Sequence, residues 1–288
     1  MSEASDGHLS LVVLAAGRAK RYGGLKPLAP IGPRGEAVID LVASDALAGG
    51  FSTIVLVLAP STAPSIRYHV ERTWPAAVDV RFALQPDPRG TVDAVLSASE
   101  FVGDTTYGVC NADDVYGIAG CTMLAEHLHR DSGANALVGY RLADAIIGFS
   151  PVTRGICRVD AEGHLLGVDE RRQVAARPEG GFAADDGPEP AELSADARVS
   201  MNLWGFTPEF HKVLLGAMEA AVDASEEKEV LLPEVVAQSL GTSTFDVLAA
   251  TGRCVGVTHP GDLGLVQDEM NRQVAAGERP AGLWTSLR

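Results

Sequence analysis

Leu14-Ala15-Ala16-Gly17-Arg18-Ala19-Lys20-Arg21-Tyr22-Gly23-Gly24-Leu25-Lys26-Pro27, entered from the apolar run Leu11-Val12-Val13, reads as a buried strand opening into a loop of small residues. Four cations (Arg18, Lys20, Arg21 and Lys26) crowd that loop, in a chain whose formal net charge is −15. Small residues let backbone N–H groups come close to a ligand, and the basic side chains supply positive charge beside them. A basic run is ordinarily a solvated face. The strand ahead of this one, and the glycines at 17, 23 and 24, shift the reading to a polyphosphate site. It is neither of two common phosphate cradles. The Walker pattern would need glycine where Tyr22 stands, and the dinucleotide fingerprint would need it at Ala19.

Outward from the loop, strands and helices alternate. Ala37–Leu47 carries helical spacing and stops at Gly49-Gly50. Phe51–Leu58 is a β-branched apolar run, Val78–Leu84 alternates, Thr91–Phe101 is helical, and Tyr107–Cys110 is a short strand. Ile118–Leu128 follows as helix and Ala136–Leu142 as strand. This alternation predicts an α/β fold: a mostly parallel, Rossmann-like sheet with helices on both faces and ligands at the carboxyl ends of its strands. The second half departs from it. Gly155–Val159 and His164–Val168 read as a hairpin, Val199–Phe206 as a strand, and Pro208–Val222 and Pro260–Ala276 as helices. The stretch 177–198, rich in Gly, Pro, Ala and acids, reads as a mobile loop. The domain expectation is a disordered 1–9 and a single domain over 10–288. Residues 10–142 are its first half, and 143–276 an inserted lobe containing the loop.

The acidic balance argues against a nucleic-acid surface. No apolar run of 18 residues exists to span a membrane, and the polar, acid-bearing N-terminus lacks the cations of a secretory signal. Four scattered cysteines form no Cys-x-x-Cys pair. A cytoplasmic protein is expected, and the stretch from Pro208 to Leu240 is a candidate homo-oligomer contact.

Asn111-Ala112-Asp113-Asp114 closes the fourth strand and places carboxylates at the sheet's carboxyl edge. Mg²⁺ takes one or two carboxylates plus substrate phosphates; a polar turn is the plainer account of the same residues. Gln85, followed by Gly90-Thr91 at a helix start, offers an amide for a base edge and free N–H groups, though Gln-Pro and Pro-Arg-Gly are also ordinary turn material.

The opening loop resembles that of the sugar-phosphate nucleotidyltransferases, whose pattern runs apolar-Ala-Ala-Gly-x-Gly-x-Arg and then Lys-Pro. Gly17, Arg21, Lys26 and Pro27 match it, and Ala19 departs from the second glycine. The resemblance implies a nucleotide site at Leu14, Ala15, Ala16, Gly17, Gln85, Gly90 and Thr91, with Arg21 and Lys26 as catalytic residues and Asp113 holding Mg²⁺. Arg154-Gly155-Ile156, Val168-Asp169-Glu170-Arg171 and the Asn202 strand resemble the sugar-phosphate branch's acceptor motifs. They imply acceptor contacts from Gly155, Glu170, Arg171 and Asn202, with Arg171 on the acceptor phosphate. The implied reaction joins a nucleoside triphosphate to a sugar 1-phosphate or cyclitol phosphate and releases pyrophosphate. The same elements leave open a glycosyltransferase using a finished nucleotide sugar, and a non-catalytic nucleotide sensor.

Overall fold

Strand alternation builds the core from both sides. In β1 (Ser10–Ala15), Leu11, Val13 and Ala15 pack on one face and Val12 on the other. In β2 (Thr53–Leu58), Ile54, Leu56 and Leu58 oppose Val55 and Val57, all of them buried. Strands apolar on both faces need helices on both. The computed structural model describes residues 8–17, 24–102, 104–130, 133–148, 150–177, 179–223, 229–257 and 260–287. Within it, one face is covered by α1 (Val38–Ala48), α2 (Ala63–Thr73), α5 (Gly117–His129) and α8 (Leu263–Ala275). The other is covered by α3 (Thr91–Leu96), α6 (Pro208–Asp223) and α7 (Leu232–Ser239), with the short α4 (Ser99–Val102) following α3.

The central sheet runs β3 (Asp79–Leu84), β2, β1, β4 (Tyr107–Asn111), β11 (Arg198–Phe206), β6 (Asn135–Arg141), β12 (Phe245–Ala249). All are parallel except β11, which is antiparallel to both its β4 and β6 neighbours. This is the mostly parallel α/β sheet expected. An antiparallel arm leaves it through the first residues of β11: β7 (Val152–Val159), β8 (Leu165–Ala176), β9 (Phe182–Ala184) and β10 (Glu192–Leu193). A separate two-stranded ribbon pairs β5 (Asp114–Val115) with β13 (Val255–Gly256).

The arm's turn is fixed by Asp160, whose carboxylate accepts the N–H groups of Glu162 at 3.0 Å and His164 at 2.7 Å. Its tip is pinned to β12, where Val247 N–H donates to Gly163 O at 2.9 Å. The stretch 177–198 departs from the expected loop by carrying β9 and β10. Arg171 organises it by forking onto Asp186 and donating to Pro188 O and Pro190 O at 2.8 and 2.9 Å.

Order also reaches further towards the N-terminus than expected. Leu9 is buried, and the His8 ring meets the hydroxyls of Ser52 and Thr53. The helix expected over Thr91–Phe101 breaks near Ser97 into α3 and α4, where Ser97 Oγ donates to Asp93 O and Ser99 Oγ to Leu96 O. The last helix starts as a 3₁₀ turn, Pro260–Asp262, and is regular from Leu263. Helices α2 and α7 and strands β5, β12 and β13 also have no counterpart in the sequence reading.

Candidate active site

Parallel strands bring their carboxyl ends to one edge, so the residues just past β1, β3 and β4 meet there. They border a cleft of three adjoining cavities of about 520, 340 and 150 Å³. Asp113 lines all three. Asn111 joins the first to the second, and Lys26 the second to the third. Lys26 enters from a 3₁₀ turn, Lys26–Leu28, with Pro27 inside it, and its Nζ lies 3.4 Å from Asp113 Oδ2. A cation and a carboxylate thus meet where the cavities join. Arg18 to Gly23, with the catalytic candidate Arg21, lie outside the described residues.

The largest cavity takes Leu14, Ala16, Gly17, Gln85, Gly90 and Thr91, while Ala15 borders the smallest. Gln85 is buried, and its Nε2 donates to Gly90 O at 3.0 Å and Asp93 Oδ2 at 2.9 Å. Both partners only accept, so the amide's orientation is fixed and its oxygen is the atom left for a ligand. Thr91 Oγ1 accepts Leu232 N–H at 2.8 Å, which ties the side chain to α7 and leaves the hydroxyl proton to donate. Two glycines here differ in kind. A Cβ on Gly17 would meet no atom of the described residues within 4 Å, and the glycine borders the largest cavity. Gly90 has φ +105°, and an added Cβ would fall 2.6 Å from Val230 N and closer still to Val230 O; packing alone demands glycine there.

The middle cavity holds Gly155, Glu170 and Asn202 together with Asp114 and Arg154. Asn202 sits at φ +61°, where the β11–β6 register shifts between Ser200 and Trp204. Asparagine tolerates that left-handed conformation. Its Oδ1 accepts Trp204 Nε1–H at 3.2 Å, which leaves the amide N–H groups. Asp114 is walled by Gly256, whose added Cβ would collide with its carboxylate. Burial, and then the Asp113 charge, push the Asp114 pKa up to about 7, against Arg154, the Asn111 amide and Lys26.

Arg171 is the expectation the structure corrects. Neighbouring residues on a strand point to opposite faces, so where Glu170 borders the cleft, Arg171 turns away from it. Its guanidinium is buried against Asp186, at 2.9 Å, and two prolyl carbonyls. Sequence reasoning also missed Asn111 and Arg154. The second was legible only as the residue beside Gly155.

Asp113 suits Mg²⁺ as one carboxylate facing space for phosphate oxygens and water. No group of three or more His, Cys, Asp or Glu able to hold a metal gathers among the described residues, and a one-carboxylate site needs none. No helix among them is long and apolar enough to cross a membrane.

Residues 10–150 match the family model described as nucleotidyl transferase. The "Bifunctional protein GlmU" of Sorangium cellulosum is 25% identical over 282 residues, 96% of this chain and 54% of that protein. The "Glucose-1-phosphate thymidylyltransferase" of Mycolicibacterium smegmatis is 25% identical over 166 residues, 56% of this chain and 54% of that protein. The chain spans about half the length of the curated relatives it matches.

Proposed function

We propose that this chain, whose residues 10–150 match the nucleotidyl transferase family model, transfers a nucleoside monophosphate from a nucleoside triphosphate to a sugar 1-phosphate or related cyclitol phosphate. The products are a nucleoside diphosphate sugar and pyrophosphate. The observation that carries the reading is Asp113, which borders all three cavities with Lys26 3.4 Å away. A triphosphate and a second phosphate could meet there.

The nucleoside fits the largest cavity, where the Gln85 oxygen would accept an N–H of the base. The acceptor fits the middle one, with Glu170 and Asn202 available to sugar hydroxyls. In the reaction an acceptor phosphate oxygen attacks the α-phosphorus, a new P–O bond forms, and the bond to the pyrophosphate breaks. Lys26 would lie against both the α-phosphate and the incoming phosphate, where negative charge concentrates. Arg21, from the opening motif, would hold the leaving pyrophosphate. Positioning and charge neutralisation supply most of the rate. Mg²⁺ held by Asp113 would add Lewis-acid neutralisation of the phosphate oxygens.

The test is pyrophosphate release, crossing the common nucleoside triphosphates with sugar and cyclitol 1-phosphates in the presence of Mg²⁺. Release with a defined pair, lost in Lys26→Ala, is expected. Transfer from a finished nucleotide sugar without pyrophosphate would replace this reading with a glycosyltransferase.

A further inference from the structure

The corrected place of Arg171 leaves the acceptor cavity without the cation that the sequence motifs supplied. Glu170, Asp113 and Asp114 line that cavity, and a phosphate placed among three carboxylates needs more than Lys26 to offset them. The second cation bordering it is Arg154, whose Cα stands directly across the β7–β8 ladder from that of Arg171. The ladder is irregular between Val152 and Arg154, and such an irregularity re-aims a side chain. The two arginines accordingly part company: Arg171 runs to Asp186, and Arg154 to the turn after β6.

The bonding of the two guanidinium groups differs in the way that matters for a ligand. An arginine has five N–H donors. Arg171 spends four of them, one from Nε, one from Nη1 and two from Nη2, on Asp186, Pro188 O and Pro190 O. Arg154 spends three: Nε and Nη2 donate to Ala145 O at 3.2 and 2.8 Å, and Nη1 to Thr153 O at 2.9 Å. Every partner of Arg154 is a neutral carbonyl. Among the described residues it forms no ion pair, and one N–H on each Nη stays uncommitted. The two bonds to a single carbonyl fix the plane of the group, so those two donors are held in place before any ligand arrives. Burial lowers its pKa, opposed by the charge of Asp114, but a guanidinium keeps its proton in proteins. A largely buried charge whose direct hydrogen-bond partners are all neutral is costly, and an anionic ligand offsets that cost.

We propose that Arg154 binds the phosphate of the acceptor, taking from β7 the place that Arg171 on β8 has vacated. The planar fork matches two phosphate oxygens, as a lysine ammonium does not. The assignment rests on the transfer reaction proposed above, and its test separates the two.

With a nucleotide–acceptor pair identified by pyrophosphate release, Arg154→Gln should raise the acceptor KM by about tenfold to a hundredfold, the size of losing charge-assisted hydrogen bonds, with the nucleotide KM unchanged. Arg154→Lys should recover part of that loss, keeping the charge without the fork. Arg171→Gln should lower the melting temperature and keep the wild-type acceptor KM. Calorimetric binding of inorganic phosphate, read alongside, should weaken in Arg154→Gln by a similar factor. A folded Arg154→Gln with unchanged acceptor KM and unchanged phosphate binding overturns the assignment while the reaction stands. Phosphate binding that depends on Arg154, with no pyrophosphate release from any pair, overturns the reaction while the anion site stands.

Discussion

Gly17 and Gly90 border one cavity for opposite reasons, and substitution separates them. Gly17→Ala adds a methyl that no atom of the described residues opposes, so the variant should melt like the wild type and lose nucleotide affinity, measured by calorimetry. Gly90→Ala forces a Cβ against the Val230 backbone at positive φ and should cost about 1–3 kcal/mol of stability, read by denaturant unfolding. Equal stability of the two variants would remove the distinction. Lys26→Ala should keep the fold and lower turnover about 10²–10³-fold, the cost of one preorganised donor at developing charge. Near-wild-type turnover would take Lys26 out of the chemistry. Strand β1, at the head of the opening motif, was legible because its information is local: an apolar run that leads directly into Gly17. Arg171 was misplaced because motif order ignores strand parity. Once Glu170 is assigned to one face of β8, its neighbour belongs to the other.

Helix α6 shows how an element can carry a pH dependence away from the cleft. His211 accepts the Tyr107 hydroxyl at Nδ1, 2.7 Å away, and donates from Nε2 to Ser99 Oγ at 3.0 Å, a hydroxyl whose own proton goes to Leu96 O. Burial depresses its pKa, against a small opposing pull from Asp104. The folded protein therefore resists a proton that the unfolded chain accepts near pH 6.5. The contribution is fully present above that pH and is lost as pH falls through the lower folded value. Melting temperatures from pH 7.5 to 5 should fall more steeply for the wild type than for His211→Gln; parallel curves would put the acid sensitivity elsewhere. Elements with strong periodicity, such as β1, β2 and α5, were readable from the sequence. Helix α2 was not: its apolar contacts reduce to Ala63, Ile66 and Val70 on a polar helix. Nor was β12, whose alternation in Phe245–Ala249 gains meaning only when β6 lies beside it.

At the scale of the molecule, the C-terminal segment straps α1 to the core. Arg279 forks onto Asp45 in a fully buried pair, Trp284 N–H donates to Ser44 Oγ at 2.9 Å, and the Trp284 ring leans on Trp74 with centroids 5.2 Å apart. Breaking a buried pair strands the other charge, so Arg279→Met should cost about 3–5 kcal/mol in unfolding free energy. A loss below about 1 kcal/mol would show that the strap is dispensable. The middle strand β11 has a different consequence, one of timing. It is the antiparallel strand that joins β4 to β6 and also carries the arm, yet it lies far along the chain from the β4 edge it covers. Between Asn111 and Arg198 a ribosome must add about 90 residues, roughly 5–20 s of synthesis at ordinary speeds. Throughout that interval the edge of β4 is an open hydrogen-bonding template beside apolar residues, the kind of surface that chaperones cover and that neighbouring nascent chains invade. Lower growth temperatures and co-expressed chaperones should raise the soluble yield of this protein and leave the melting temperature of the purified protein unchanged.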